Sequence, residues 1–244
     1  MEWQVEQVLK RDSFGRVERV ARPEGVHALR RVACGGRLPG SGWVARRLLA
    51  RERRALAALE GLRGVPCLHA EDMARGVLLR EWLAGEPLHR AQVLAEDFFD
   101  HLDHLVEELH RRGVCHNDLH KEQNIVVGED GFPHLIDFQL ASVHPRRGRR
   151  FASRVRDDLR HVQKHRRRYT RDGRGPASAG VEHGRGLGLR RSPVALVWRR
   201  TGKPLYNFVT RRLLRTRDGE ERRPSTGPWP RWSEALGERR TRPE

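Results

Sequence analysis

The sequence reads HNDLHKEQN over residues 116–124 and LIDFQLA over residues 135–141, two segments whose polar residues adjoin short apolar runs. The apolar runs at 125–127 and 134–136 are separated by a turn-rich link at 128–133, a pattern that predicts a β-hairpin. In an antiparallel pair, the residue that enters the first strand lies beside the residue that leaves the second. The sequence therefore predicts that the polar residues on either side of the hairpin meet at one of its ends.

Three side chains at that end have the chemistry of a phosphoryl-transfer site. Asn124 enters the first run and Asp137 leaves the second, and their oxygens are ligands suited to Mg²⁺. Asp118 lies six residues before Asn124, on the loop that leads to the same end. A carboxylate there can accept the proton of a hydroxyl group while metal is held on the phosphates. The alternative interpretation is a polar loop beside a buried hairpin.

These segments resemble the catalytic and magnesium loops of protein-kinase-like phosphotransferases, H-x-D…N followed by D-F-x. The Ile-Asp-Phe run and the absence of later kinase motifs resemble the compact RIO-type atypical serine/threonine kinases and the related bacterial lipopolysaccharide-core sugar kinases. The resemblance implies that ATP and Mg²⁺ are the cofactors, that Asp118 is the catalytic base, that Asn124 and Asp137 are metal ligands, and that His116 braces the loop. The sequence departs from the pattern in a six-residue Asp-to-Asn interval instead of five, and in Gln139 where a Gly is usual.

A cation beside Asp118 is also implied, because kinases place a phosphate-contacting lysine two residues after the catalytic Asp. His120 takes that position here, and the neighbouring Lys121 is the alternative. Zinc binding is the competing chemistry for this histidine-rich region. The histidine spacings do not match a paired zinc signature, and no Cys-x-x-Cys accompanies them.

The upstream residues match parts of a kinase small lobe. Residues 3–9, 16–21 and 26–33 read as strands, and Gly15 and Val17 match the end of the glycine-rich nucleotide loop G-x-G-x-x-G-x-V.

The third of these strands offers a candidate for the ATP-binding cation. Ala28 and Arg30 fit the A-x-K position of the ATP lysine, with Arg in place of Lys, and they share one face by the two-residue strand period. Arg31, on the opposite face, is the rival candidate.

Residues 43–60 predict a helix with one acidic residue on its apolar stripe. The stripe consists of Val44, Leu48, Ala55, Leu56 and Leu59. Glu52 falls on it, and a buried carboxylate needs a cationic partner. The resemblance implies that Glu52 pairs with Arg30. The alternative is a Glu at the edge of the stripe, paired with surface Arg51 or Arg53.

The following segments complete the predicted catalytic frame. A strand at 76–83, which contains the candidate cofactor-binding residue Glu81, precedes a hinge-like break at 84–88. A helix at 96–112 then leads into the catalytic loop, and its apolar stripe consists of Phe98, Leu102, Leu105, Val106 and Leu109. Farther on, the resemblance implies that Asp158 or Asp157 braces the backbone of the catalytic loop. The alternative is that nearby arginines neutralise both carboxylates.

Charge is distributed unevenly along the 244 residues, which carry a formal net charge of +17. Residues 1–145 hold 20 Lys and Arg against 22 Asp and Glu, whereas residues 146–244 hold 29 against 10. Aromatic and aliphatic residues interleave with arginines at 193–214. This mixture suits an anionic membrane surface, RNA or an acidic protein, and the alternative is that 193–214 forms the last helices of the large lobe.

Together these features predict an α+β, bilobal, protein-kinase-like fold with a small antiparallel-sheet N-lobe and a reduced, mainly helical C-lobe. The expected divisions are an N-lobe at 1–83, a minimal C-lobe at 84–170, a flexible linker at 171–192 and a basic extension at 193–244. Three scattered cysteines, no apolar run long enough to cross a bilayer and no signal-like N-terminus favour the cytoplasm. The basic extension would allow a peripheral position at the inner face of the membrane.

Three functions follow from this sequence. The first is an atypical serine/threonine kinase that transfers phosphate from ATP to an unknown hydroxyl acceptor. The second is a small-molecule or lipopolysaccharide-core sugar kinase of the same fold. The third is a non-catalytic nucleotide-binding or nucleic-acid-binding protein.

Overall fold

The computed structural model describes residues 2–12, 14–35, 40–69, 76–91 and 94–171. The predicted linker at 171–192, apart from its first residue, and the predicted basic extension at 193–244 with its anionic-partner surface lie outside the described residues. Within the described part of the chain, no helix has the length and apolar character needed to cross a bilayer.

The N-terminal half is built on a four-stranded antiparallel sheet in the order β1-β2-β3-β4. Its strands are β1 (Gln4–Asp12), β2 (Gly15–Ala21), β3 (His27–Ala33) and β4 (Val77–Glu81). Helix α1 (Ser41–Ala58) lies between β3 and β4 in the chain. The four predicted strands and the predicted helix are thus all present, and none of their ends is shifted by more than three residues.

The C-terminal half combines two long helices with short strands. Helix α2 (Phe98–Arg111) and helix α3 (Arg149–Arg171) frame the segment that holds the predicted catalytic loop. The strands are β5 (Gly85–Pro87), β6 (Val114–Cys115), β7 (Ile125–Gly128), β8 (Pro133–Leu135) and β9 (Ser142–Val143). β5, β7 and β8 form one sheet, and β6 pairs with β9.

The predicted hairpin is confirmed by the pairing of β7 with β8. Ile125 lies opposite Leu135 in an antiparallel register, and the Ile136 N–H donates to the Asn124 carbonyl over 3.0 Å. This hydrogen bond places the backbone of Asn124 beside that of Ile136, the residue directly before Asp137, as the antiparallel pairing predicted.

The apolar face of α2 is also as predicted, because all five stripe residues are buried in the large core. That core joins α2 to the end of α1, to the hairpin and to α3 through Val162 and Tyr169. It fixes the helix that leads into the catalytic loop.

The predicted stripe of α1 is wrong in its first half. Val44 is 36% exposed and Leu48 is partly exposed, whereas Ala45 and Leu49 are buried. A step of four residues turns a helix about 40° past a full circle, so two such steps from Leu56 displace Leu48 by about 80°. The buried residues at the end of the helix determine which face packs against the core. Val44 and Leu48, earlier in the helix, lie outside that face.

This correction predicts different costs for two neighbouring leucines. Leu49→Ala should lower the free energy of unfolding by about 2–5 kcal/mol, the usual cost of a core cavity. Leu48→Ala, the matched control, should cost less than about 1 kcal/mol because its side chain is already partly in water. Urea unfolding of both variants measures the difference. Equal losses of unfolding free energy in the two variants would support the stripe predicted from the sequence.

Candidate active site

Asp118 is buried, at 2% exposure, and its position is set by Asn124. The Asn124 Nδ2 group donates to Asp118 Oδ2 over 2.9 Å and to the Asp118 carbonyl over 3.0 Å. Two successive turns take up the six-residue interval: the Lys121 N–H donates to the Asp118 carbonyl, and the Asn124 N–H donates to the Lys121 carbonyl. The extra loop residue therefore does not separate the two predicted side chains.

Both predicted cations contact the Asp118 carboxylate. His120 Nδ1 lies 3.1 Å from Oδ1, and Lys121 Nζ lies 3.1 Å from Oδ2. Burial by itself would raise the pKa of Asp118, but the contacts with His120 and Lys121 outweigh it and lower that pKa. Asp118 is consequently an ionised carboxylate that can accept a proton.

His116 joins the predicted catalytic loop, residues 116–124, to the predicted magnesium loop, residues 135–141. Its buried ring donates from Nε2 to the Ile136 carbonyl over 3.0 Å and packs against Phe138, with 4.7 Å between ring centroids. Asp137 lies between these two contacts in the chain. His116 thus holds the backbone on both sides of Asp137.

Two residues of the site have left-handed backbone conformations, Asn117 with φ of 65° and Asp137 with φ of 64°. The Asn117 amide compensates for this, since Nδ2 lies 2.8 Å from the Leu140 carbonyl and 3.0 Å from Ser142 Oγ. Arg154 donates to Asn117 Oδ1 over 2.8 Å. Sequence analysis missed Asn117, although asparagine tolerates this conformation better than most residues.

Helix α3 braces the catalytic loop through Asp158, which is fully buried. Its Oδ2 accepts the His116 N–H over 2.8 Å, and its Oδ1 accepts the Asn117 N–H over 2.9 Å. His110 donates to the same carboxylate over 3.2 Å. The predicted brace is confirmed, and it is Asp158 and not Asp157.

The same helix continues along the loop. His165 Nε2 donates to the Leu119 carbonyl over 2.8 Å. One turn later, the Tyr169 hydroxyl lies 2.8 Å from Glu122 Oε2 and 3.0 Å from the Leu88 carbonyl. The catalytic loop therefore rests on three turns of α3, a contact that local sequence patterns did not predict.

The predicted pair of Arg30 with Glu52 is wrong. Arg30 Nε lies 2.7 Å from Glu18 Oε2, on the face of the sheet where Ala28 packs in a small cluster with Trp3, Val20 and Leu79. The reason is the two-residue period of strands, which places Arg30 and Arg31 on opposite faces. The rival candidate, Arg31, is the strand cation that faces α1.

Glu52 is fully buried between two arginines. Arg31 Nε lies 3.4 Å from Oε2, and Arg80 Nε lies 3.4 Å from Oε1. Burial lowers the pKa of Arg80, and the charge of Glu52 partly offsets this. Arg31 also reaches Asp137, with 3.4 Å between Nη2 and Oδ1. Sequence analysis missed Arg80, because only the pairing of Arg80 with Leu29 places it on the Arg31 face.

Three other candidate cofactor-binding residues occupy the N-terminal sheet. A Cβ at Gly15 would lie 2.0 Å from the Val32 carbonyl oxygen, so the approach of β3 already requires glycine there. Val17 lies opposite Arg31 on the side of the sheet that faces α1. The Glu81 carboxylate accepts the Cys67 N–H over 3.1 Å and ties β4 to the segment before it. Their roles in nucleotide binding stay predictions.

The donor chemistry fits Mg²⁺ better than zinc. His110, Cys115 and Asp158 have ligand atoms within 4.8 Å of one another. However, Asp158 is engaged by backbone N–H groups, and burial raises the pKa of Cys115 to about 12, so no thiolate is offered. Asn124 and Asp137 are oxygen donors at the end of one hairpin, the kind of ligand that Mg²⁺ prefers.

Comparison with known proteins identifies the fold. No protein-family model matches the chain, and no curated protein matches it. A solved structure of the Rio2 kinase–ADP/Mg²⁺–phosphoaspartate complex from Chaetomium thermophilum matches 72% of this chain and 59% of its own, with a TM-score of 0.53 and 18% identity. The fold is protein-kinase-like.

A second structure of Rio2 kinase from the same organism gives a TM-score of 0.50 at 18% identity, over 67% of this chain and 57% of its own. This chain thus spans less than two thirds of the length of both neighbours. The predicted antiparallel N-lobe and reduced C-lobe of a protein-kinase-like fold are confirmed.

The Asp158 brace predicts a large stability effect from a change of one atom. Asp158→Asn replaces one acceptor oxygen with an NH₂ group that faces backbone N–H donors, so the free energy of unfolding should fall by about 2–3 kcal/mol. Asp157→Asn is the matched control, because Asp157 is partly exposed and lies 3.8 Å from Arg160. It should change stability by less than about 0.5 kcal/mol. Chemical unfolding measures the free energy of unfolding of both variants. Similar losses in the two variants would show that Asp158 does not brace the loop.

Proposed function

We propose that this protein is an ATP-dependent phosphotransferase of the atypical serine/threonine kinase type, which transfers the γ-phosphoryl group of ATP to a hydroxyl group. The observation that carries the proposal is the contact between Asp118 and Asn124 at 2.9 Å, with Asp137 next to them along the hairpin. In this proposal Asp118 supplies the proton acceptor, and the Asn124 amide oxygen and the Asp137 carboxylate supply the metal ligands. Phosphoryl transfer depends mainly on such positioning and on charge stabilisation.

Asn124 and Asp137 are the residues that would hold Mg²⁺. Because Asn124 uses its Nδ2 group on Asp118, its Oδ1 is the atom suited to a cation. When bound, the ion would supply positive charge to the phosphates of ATP.

Asp118 would orient the acceptor hydroxyl and take its proton. The Asp118 carboxylate lies between the side chains of His120 and Lys121, which are 50% and 37% exposed and can therefore also reach a phosphate group. The lowered pKa of Asp118 keeps its carboxylate ionised at neutral pH, so the carboxylate can accept a hydrogen bond from the acceptor hydroxyl and orient it.

Arg31 would be the phosphate-facing cation of the N-lobe. It bridges Glu52 and Asp137, and its planar guanidinium can contact two phosphate oxygens at once. If Arg31 turns toward phosphates, Glu52 still has Arg80. Without that second arginine, a fully buried carboxylate would be left without a counter-charge, which is costly.

The acceptor class separates the two enzymatic alternatives. Labelled ATP added to a fractionated lysate will place label in protein for a serine/threonine kinase, and in sugars or lipids for a small-molecule kinase. A non-catalytic nucleotide-binding protein would transfer no label at all. The assembled Asp118, Asn124 and Asp137 favour transfer.

Two substitutions should remove activity by different routes. Asp118→Asn should lower the rate about 10²–10⁴-fold, the usual contribution of a general base, with Mg-ATP affinity preserved. Asp137→Ala should lower the rate and also weaken Mg-dependent nucleotide binding, because a metal ligand is lost. Phosphoryl transfer and calorimetric titration of ADP with and without Mg²⁺ separate the two. Full activity of Asp118→Asn would refute the catalytic assignment.

The two-arginine arrangement predicts strong coupling around Glu52. Arg80→Met should destabilise the fold by about 3–5 kcal/mol, because it removes a partner from a buried charge. Adding Glu52→Gln should recover part of this loss, giving a coupling energy of about 0.5–3 kcal/mol.

Substitutions of two neighbouring arginines on β3 test the proposal that Arg31, and not Arg30, is the phosphate-facing cation. Arg31→Met should weaken ADP binding, whereas Arg30→Met should leave it unchanged because Arg30 bonds Glu18 on the other face. Additive effects at Glu52 and Arg80, or weaker ADP binding only in Arg30→Met, would contradict this arrangement.

A further inference from the structure

Helix α3 also meets the predicted catalytic loop through a pair of histidine rings, one from each element. The ring centroids of His120 and His161 lie 5.8 Å apart, and the two ring planes are tilted by 52°. His120 is the side chain whose Nδ1 lies 3.1 Å from Asp118 Oδ1, and half of it is exposed. His161, on α3, is partly buried. A partly buried ring thus lies against the ring that contacts the candidate base.

Arg160 determines the protonation state of His161. The Arg160 Nη2 group lies 3.1 Å from His161 Nε2. A guanidinium group can only donate, so Nε2 accepts this hydrogen bond and the ring proton lies on Nδ1. Burial, together with the charges of Arg160 and His120, lowers the pKa of His161 to about 4. His161 is therefore a neutral ring at neutral pH.

A neutral ring is the form that can support His120 beside a carboxylate. A protonated His120 would be repelled by a second imidazolium, whereas it can pack against an uncharged ring. Two other titratable groups lie near His161, Asp158 and His165. Both bond the backbone of the catalytic loop, Asp158 at the His116 N–H and His165 at the Leu119 carbonyl. These two residues hold the main chain of the loop, whereas His161 contacts a side chain.

The contact between the two rings is made by packing and not by a hydrogen bond. His161 Nε2 accepts from Arg160, and His161 Nδ1 is buried without a hydrogen-bond partner among the residues that the structure describes. A buried N–H group without an acceptor destabilises a fold. Phenylalanine at position 161 would keep a ring of similar size and would remove the unpaired N–H group. His161→Phe therefore separates the effect of the ring from the effect of its polar atoms.

We propose that His161 is a positioning residue of the candidate active site, which holds the His120 ring against Asp118. This inference rests on the proposed function, because it gives His161 a part in phosphoryl transfer. His120 is half exposed, so without support from α3 its ring would be free to turn away from the Asp118 carboxylate. His161 acts through His120 and does not itself touch the reacting groups.

The kinetic experiment uses the full chain, labelled ATP and the lysate fraction that accepts label. His161→Ala should lower the transfer rate about 10- to 100-fold, the scale expected when a group of the site is misplaced. His161→Phe should restore most of that rate. In a His120→Ala background, His161→Ala should cause no further loss, because its effect passes through His120. Lys164→Ala, which removes an exposed side chain one turn farther along α3, is the matched control and should transfer label as the wild type does. Equal losses from His161→Ala in both backgrounds, or no rescue by His161→Phe, would overturn the proposal.

A spectroscopic experiment tests the same contact without any transfer activity. In the full chain with ¹⁵N-labelled histidine, NMR spectra should show the His161 proton on Nδ1 at neutral pH and an NOE between the rings of His120 and His161. The ring signals of His120 should shift in His161→Ala and stay close to their wild-type positions in His161→Phe. A His161 that titrates at about pH 6.5, the value of a free imidazole, or an absent NOE would contradict the proposal. If no lysate fraction accepts label, the proposed function fails, and these spectra still decide whether His161 holds His120.

Discussion

The conformation of the predicted catalytic loop depends on the hydrogen bonds that it donates to the Asp158 carboxylate. This carboxylate accepts the N–H groups of two consecutive residues, His116 and Asn117, from inside the core. Those bonds stabilise the left-handed turn at Asn117 and thereby fix the direction in which Asp118 leaves it. An unpaired carboxylate at this depth would be costly, so helix α3 and the catalytic loop stabilise each other.

A second buried carboxylate, Glu52, joins separate elements in the N-terminal half. Its partners are two arginines and not backbone N–H groups. It is neutralised by Arg31 and Arg80, and Arg31 extends to Asp137. Through this one arginine, the sheet and α1 are in contact with the magnesium loop. Two buried carboxylates that belong to helices, Asp158 and Glu52, thus support the candidate site from two sides.

The strained backbone of the site is explained by the same network. Asn117 and Asp137 are the only non-glycine residues with positive φ in the described part of the chain. Strain of this kind persists where surrounding contacts over-determine the conformation. Here the Asn117 amide bonds, the His116 ring and the buried Phe138 supply those contacts. Arg51 and Arg154 add contacts to the Leu140 carbonyl and to Asn117 Oδ1.

The hairpin, the set of Asp118, Asn124 and Asp137, and the helix α2 could be predicted from the sequence because each depends on residues close together in the chain. Antiparallel pairing across a short turn fixes which residues meet, and a helix stripe follows from its own period. The pairing of Glu52 could not, because a shift of one residue along a strand moves every side chain to the other face. Only the register of β3 with β2 and β4 chooses Arg31 over Arg30 and buries Arg80 beside Glu52. Only the packing of α3 against the catalytic loop chooses Asp158 over Asp157 as the brace.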